Sequence, residues 1–400
     1  SETSGGRQTE PPGGASEQGM PTRQRIVTYG ISTLAAGTVV LAALLTPWRN
    51  ALLTCHTGAT KRVPGPPPAA NVDVVFAIDT TGSMSGLIDG AKRTVWSIAS
   101  AIRAEDPNRE LRVGLVAYRD LGDDYVTREL ALTTDIDAVF AELAAYQAAG
   151  GGDSPENVDA ALDVALHKMQ WRSDAKKLVF VVGDAPPASR GDVPRFDVLA
   201  SEAKAREIVI NTIRCGVDAQ TAAAFQQLAS IGNGEFSTIQ QDGGVQQVAT
   251  PYDDKLAELS AEIDHTTVIV GDDAARARYN AAMGAAAAAP APTRADRGMY
   301  YAAKPEAARA PGDAVDLYRK GALDVGALDR GELPAELRGL ADDELKVELD
   351  KRVAKRKAAE QELAKIAKER AKYLEDNAAT GKRDGFDAKV KDTLGRQLKK

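Results

Sequence analysis

From Val72 to about residue 265, short runs that are apolar throughout alternate with longer runs that are apolar on one face only. VDVVFAID, LRVGLVAYRD and KKLVFVVGD read as strands, as do TRELALT, VINTIRC and EFSTI. Between them GLIDGAKRTVWSIASAIRAED, IDAVFAELAAYQ, ENVDAALDVALHKMQW, VLASEAKAREI and TAAAFQQLASIG carry apolar residues at helical spacing. A strand with no polar face must be covered on both sides, and helices alternating with such strands supply that cover. The pattern predicts an α/β domain over residues 72–265: a doubly wound, mostly parallel sheet with helices on both faces.

The flanks have other textures. Residues 1–25 are polar and rich in Gly and Pro, which predicts disorder. IVTYGISTLAAGTVVLAALL, Ile26 to Leu45, carries no charge and has the ~20-residue length of a membrane-spanning helix. Arg23 and Arg25 precede it, and Trp48 and Arg49 follow as interfacial anchors would. LLTC, ending at Cys55, resembles a lipoprotein cleavage box only faintly, and no small-x-small cleavage site follows the apolar run. Residues 26–48 are therefore expected to be an uncleaved transmembrane anchor. The arginines before it place the N-terminus in the cytoplasm and the folded domain outside, in a periplasmic or extracellular space. Residues 49–71 read as a stiff, Pro-rich linker.

Beyond the α/β domain, residues 266–311 contain MGAAAAAPAPTRADRG and read as a low-complexity linker. Residues 312–400 predict a C-terminal helical region with one long, highly charged helix. Leu345, Leu349, Leu363 and Ile366 form an apolar stripe on it, a coiled-coil signature, but Arg352 and Arg356 fall in the same register and oppose a long continuous pairing. Leu333, Leu337, Leu345 and Leu349 are expected to face inward.

Net charge is -7, and the pI near 5.3 excludes general nucleic-acid binding. Cys55 and Cys215 are too few for a disulfide framework or a zinc site. The three histidines, His56, His167 and His265, are scattered, which disfavours a histidine metal site or a histidine-based triad.

Candidate chemistry gathers at strand ends. FAID stops at Asp79 and VFVVGD at Asp184, and in open parallel sheets ligands bind beyond the carboxyl ends of strands. Thr81 and Ser83 follow Asp79 at alternate positions, and Asp153 stands in the turn GGGDSPEN behind glycines that let backbone approach closely. Asp79, Thr81, Ser83, Asp153 and Asp184 would make an oxygen-only site, suited to Mg2+ with Mn2+ or Ca2+ as alternatives. A plain polar turn is the competing reading of DTTGSMS. Glu156 is expected to serve the first turn of its helix, and Tyr118, Arg119 and Asp120 a structural ion pair.

FAIDTTGSMSG resembles the metal-ion-dependent adhesion motif, Asp-x-Ser/Thr-x-Ser, of von Willebrand factor type A domains. Asp79, Thr81 and Ser83 fall on its positions, and VVGDAPP supplies the second aspartate, Asp184. VGLVAYRD, GGGDSPE, MQWR and VVGDAPP are similar to a bacterial subgroup, some of whose domains neighbour alpha-type kinases. The resemblance covers about half the chain. It departs at Asp153, where many relatives use a threonine. Direct ligation by a third carboxylate would weaken the metal's pull on an acidic partner, whereas ligation through water would preserve it.

The resemblance implies a binding module, not an enzyme, engaging a protein partner whose acidic side chain completes the metal site; with the expected anchor at residues 26–48, the module is expected to be membrane-anchored. Two other functions stand against it: a scaffold acting through the C-terminal helices, and a metal-assisted hydrolase, which would need a general base beside the metal.

Overall fold

The computed structural model describes residues 71–105, 109–152, 155–190, 192–303, 309–377 and 384–399. The expected N-terminal segment, membrane anchor and Pro-rich linker lie outside the described residues, apart from Asn71. Among the described residues no helix is long and apolar enough to cross a membrane.

Six strands form one sheet: β1 (Asn71–Asp79), β2 (Leu111–Tyr118), β3 (Thr127–Thr133), β4 (Ala175–Gly183), β5 (Ile208–Cys215) and β6 (Asn233–Ile239). Their order is β3-β2-β1-β4-β5-β6, and only β3 runs antiparallel. The doubly wound, mostly parallel sheet matches the expectation. β1 lies at the centre and is buried along nearly its whole length, as a strand with helices on both sides must be. Its alternate residues serve two cores. Val72, Val74, Phe76 and Ile78 face α1 (Ser85–Glu105) and α2 (Ile136–Ala145), while Val75 and Ala77 face α3 (Val158–His167), α4 (Phe196–Ala205) and α5 (Ala219–Ile231).

One charged residue interrupts β1. Asp73 is fully buried, and Arg112 and Arg172 both bond it, with Nη2 of Arg112 at 2.6 Å and Nη2 of Arg172 at 2.7 Å. Arg172 is the arginine of MQWR, so that phrase closes the amino-terminal edge of the sheet. Burial alone would raise the Asp73 pKa, but these hydrogen bonds outweigh it and hold the carboxyl below its usual range.

The region after the sheet departs from the expected linker. After α6 (Asp253–Asp264), which closes the expected domain, the expected linker of residues 266–311 carries α7 (Asp273–Ala288) and α8 (Ala291–Ala302). Alanine is the strongest helix former, so the alanine-rich text encodes helices rather than slack chain. Asp272 caps α7 by accepting from the Ala275 amide at 2.7 Å, and Pro290 separates it from α8. Val268 and Val270 then pair through backbone hydrogen bonds with Ala314 and Gly312.

The C-terminal helices are α9 (Ala314–Arg319), α10 (Asp342–Asp376) and α11 (Phe386–Gln397). Leu333, Leu337, Leu345 and Leu349 are buried together with Val268, Val315 and Val325. α10 packs along α6, α8 and α9 rather than on a second long helix, so the coiled-coil expectation gains no support among the described residues. Arg356, which breaks the apolar stripe, is buried: it pairs with Asp313, and its Nε donates to Thr266 Oγ1 at 2.7 Å. Arg370 is likewise buried between Asp253 and Asp296, at 2.7 and 2.8 Å. α11 returns to the sheet. Its Phe386, Val390 and Leu394 join the core beneath Phe76 and Phe180, and Gln397 exchanges hydrogen bonds with buried Asn211.

Candidate metal centre

β1 and β4 are neighbours, and the strand order reverses between them. Register places Asp79 opposite Tyr118 on β2 and Ile78 opposite Val182 on β4, so Asp79 and Asp184 emerge side by side at the carboxyl rim. Gly183 makes room there. A Cβ at that position would lie 2.4 Å from the Tyr118 hydroxyl and 3.4 Å from Asp79 Oδ2. Tyr118 donates instead to the Val182 carbonyl at 3.2 Å.

The chain leaves β1 through Thr80, whose hydroxyl donates to the Tyr118 carbonyl at 3.1 Å. Thr81 then turns back. Its amide and hydroxyl both donate to Asp79 Oδ1, at 2.8 and 2.7 Å, and the hydroxyl lies 3.5 Å from Ser83 Oγ. A short 3-10 turn over Gly82–Met84 leads into α1. Asp79 is fully buried, Asp184 half-buried, and Ser83 exposed, so the cluster grades from the protein interior to solvent. Gln241, in the turn after β6, donates to Asp184 Oδ2 at 2.6 Å and to the Ser83 carbonyl at 3.2 Å.

The glycine-rich loop approaches from the other side. The Ala149 and Gly82 amides cross-bond to Thr80 and Gly150 carbonyls, at 3.2 and 3.3 Å. Gly151 has a φ of +73°, and a Cβ there would lie 2.7 Å from Thr81 Cβ. No other residue type combines that backbone with that contact. Asp123 accepts from the Gly151 amide at 3.3 Å. Asp153 lies outside the described residues.

The structure thus brings Asp79, Thr81, Ser83 and Asp184 together. It also adds carboxylates that the sequence reading assigned elsewhere. Glu156 precedes its helix and does not serve the first turn. Asn157 caps α3, its Oδ1 accepting from the Ala160 amide at 3.0 Å, while Glu156 bridges to the VVGDAPP segment through Pro186 and Ala188. Asparagine's strength as a cap was the signal for this in the sequence. Glu156 faces Asp79, Asp120, Asp123 and Asp184. Burial first, then those charges, push its pKa up to about 8. Gln241 left no signal, because it follows the last strand and meets the site only through the sheet order.

Arg119 behaves as the structural residue expected. It is buried, donates to the Thr80 and Gln147 carbonyls at 3.1 and 2.8 Å, and stacks over Tyr125. Asp120 pairs with Arg190. Cys215 is a buried thiol in β5, as core packing requires.

Asp79 is the chemical focus. Burial pushes its pKa up to about 7, the Thr81 hydrogen bonds oppose the shift, and the Asp184 charge adds to it. Its Oδ2 is buried with no hydrogen-bond donor, and so is Oε2 of Glu156. A buried carboxylate oxygen without a donor is stabilised by a cation. Among the described residues no three His, Cys, Asp or Glu side chains converge as a metal site by themselves, so an ion here would need the Thr81 and Ser83 hydroxyls. Carboxylates and hydroxyls are hard oxygen donors, and the set fits magnesium.

Residues 73–250 match the family described as von Willebrand factor A domain. The chain is 27% identical over 119 residues to the alpha-protein kinase vwkA of Dictyostelium discoideum, covering 29% of this chain and 18% of the kinase. It is 33% identical over 139 residues to von Willebrand factor A domain-containing protein 7 of Rattus norvegicus, covering 35% of this chain and 14% of that protein. The chain thus spans less than a fifth of either relative's length. Among solved structures, the SpRpn10 VWA domain aligns over 43% of this chain and 89% of its own, with 16% identity and a TM-score of 0.33. Proximal thread matrix protein 1 from the mussel byssus, with a zinc-occupied MIDAS motif, aligns over 42% of both chains, with 14% identity and a TM-score of 0.33.

Proposed function

We propose that this chain is a membrane-anchored binding module whose sheet domain captures a protein partner through a divalent metal ion. One observation carries the reading. Thr81 orients one oxygen of Asp79, while the other is buried and has no donor. Asp79, Thr81, Ser83 and Asp184 would hold the ion, and Asp153 is proposed to join them directly or through water. Magnesium is the ion proposed, with manganese or calcium as alternatives. When bound, the metal supplies an electrophilic position that a partner's acidic side chain can complete. Domains of this family commonly bind a divalent metal at this motif and generally act in protein–protein interaction.

The membrane part of the proposal rests on the uncharged stretch Ile26 to Leu45 and its flanking arginines. In this reading the N-terminus is cytoplasmic and the domain is periplasmic or extracellular. Protease added to intact spheroplasts should digest the domain, and protection would reverse the topology. Binding is favoured over hydrolysis because domains of this type are generally non-catalytic interaction modules; Glu156, beside the centre, is the group that hydrolysis would have to use as its base. α11 supports a scaffold contribution, since it completes the cover of the sheet.

Titration calorimetry with magnesium and manganese on wild type and Asp79→Ala tests the centre. Binding by wild type alone is expected, together with partner capture that chelator abolishes. Equal binding by both proteins would make the loop an ordinary turn.

A further inference from the structure

A cavity of about 210 Å3 lies where the last turn of α1 meets the start of α2 and the end of α8. α1 has 21 residues and is about 30 Å long, so the cavity and the metal centre sit at its opposite ends. The volume is several times the ~30 Å3 share of one water, but falls short of the roughly 300–1,000 Å3 of organic-ligand sites. A small ion fits it.

Two arginines line the cavity with donors to spare. Arg309 is buried, its side chain only 5% exposed, and lies over the Tyr301 ring at 4.2 Å. Among the described residues its guanidinium makes a single hydrogen bond, a long one from Nη1 to Asp264 at 3.5 Å. Asp264 is already engaged, because Arg297 donates to both its oxygens, at 2.6 and 3.0 Å. Nε and Nη2 of Arg309 therefore have no acceptor, and neither is sealed from solvent. Burial pulls the Arg309 pKa below its usual value, Asp264 opposes the shift without cancelling it, and the Arg297 charge adds to it. The guanidinium nevertheless stays charged.

Arg103 of α1 stacks over the Tyr300 ring at 4.3 Å and forms no hydrogen bond or ion pair among the described residues. Its Nη1 is sealed off, but its Nε and Nη2 are not. The Tyr300 hydroxyl has no partner either, and burial pushes its pKa up to about 12, which keeps it a donor. Among the described residues Asp135 is the one carboxylate in the wall, and its Oδ1 caps α2 by accepting from the Ala138 amide at 3.0 Å. Two cations therefore face one anion.

We infer that this cavity binds a tetrahedral oxyanion of the phosphate class, held between Arg309 and Arg103 with the Tyr300 hydroxyl donating to it. A guanidinium fork gives a phosphate two parallel hydrogen bonds. Donors carried by three separate segments suit four oxygens in a tetrahedron better than the two coplanar oxygens of a carboxylate. The tyrosine rings already hold both guanidinium groups, so little side-chain freedom is lost on binding. Free phosphate and the phosphoryl end of a small phosphomonoester share this chemistry.

The test titrates the full chain, in chelator and at fixed ionic strength, with inorganic phosphate, methyl phosphate and acetate. Calorimetry and thermal melting are the readouts. Phosphate should bind and raise Tm, with acetate at least tenfold weaker. Methyl phosphate binding as tightly as phosphate would assign the site to a phosphoryl group on an ester, and much weaker binding would assign it to the free ion. Arg103→Gln, at a half-buried position, should keep the fold and weaken phosphate at least tenfold through loss of a charge-assisted contact. Tyr300→Phe keeps the ring and removes only the hydroxyl, so it should weaken phosphate about fivefold and decides the matter if Arg103→Gln does not fold. No phosphate binding, acetate as tight as phosphate, or phosphate binding untouched by the folded variants would each overturn the inference.

Discussion

Arg297 of α8 and Asp137 of α2 form a buried two-point ion pair, with Arg297 Nε donating to Asp137 Oδ1 at 2.8 Å and Nη2 to Oδ2 at 2.5 Å. Asp137 also accepts from Trp96 Nε1 at 3.0 Å and from the Tyr301 hydroxyl at 3.1 Å. The helices after the sheet are therefore joined to a helix of the sheet layer through a satisfied polar network, not merely tethered to it. Arg297→Met leaves Asp137 buried without its cation, and Asp264 with Arg309 alone, at 3.5 Å. The expected cost is about 3–5 kcal/mol in urea unfolding, the usual result of removing one partner of a buried pair. Arg297→Lys should recover little, because an ammonium cannot make the two-point contact. A loss below about 1 kcal/mol would mean the network is relaxed by water.

The metal-free centre should make stability fall with rising pH. The folded-state pKa of Asp79 is raised to about 7 from 3.8, so between those values the folded protein holds a proton that the unfolded chain has released. Stability is full below pH 4 as far as Asp79 is concerned, and is lost as pH rises towards 7; Glu156 extends the window to about 8. In chelator, Asp79→Asn should remove the Asp79 part of this slope and stabilise the fold at pH 7.5 by an amount on the order of 1–3 kcal/mol, read as a higher Tm. Saturating magnesium should raise Tm for wild type and leave the variant unmoved. A wild-type Tm independent of pH from 5 to 8 in chelator would contradict the buried-carboxylate account.

Gln241 holds Asp184 from outside the proposed ligand set. Gln241→Ala should leave the fold intact, since the side chain is exposed, and weaken magnesium binding about tenfold by freeing the carboxylate to rotate. Calorimetry would decide. An unchanged affinity would make the contact incidental.

Asp73 carries the opposite pH signature. Its folded-state pKa is depressed, so its contribution is present above 3.8 and disappears as pH falls below that value. Asp73→Asn should cost about 3 kcal/mol at pH 7, because Arg112 and Arg172 lose a shared charged acceptor. The difference from wild type should shrink as pH approaches 3, read from urea midpoints. A constant difference across that range would assign the loss to packing.

The α/β architecture was legible because its strands are central. A parallel strand covered on both faces has no polar positions, so VDVVFAID and KKLVFVVGD declare themselves without reference to their neighbours. Asp79 and Asp184 were legible for the same reason, as charges that end such runs, and Thr81 and Ser83 because a short loop keeps them beside Asp79. Distance along the chain hid the rest. Glu156 and Gln241 reach the centre only because β1 and β4 are adjacent and β6 lies beyond β5, an order no local pattern encodes. The alanine-rich stretch misled because alanine signals helix by propensity but carries no amphipathic pattern to mark a packing face. The buried arginines of α8 and α10 have their partners, Asp137, Asp313 and Asp253, far away in sequence, where no local pattern names them. Local periodicity is written in neighbouring residues, whereas the partner of a buried charge is chosen by packing across the whole domain.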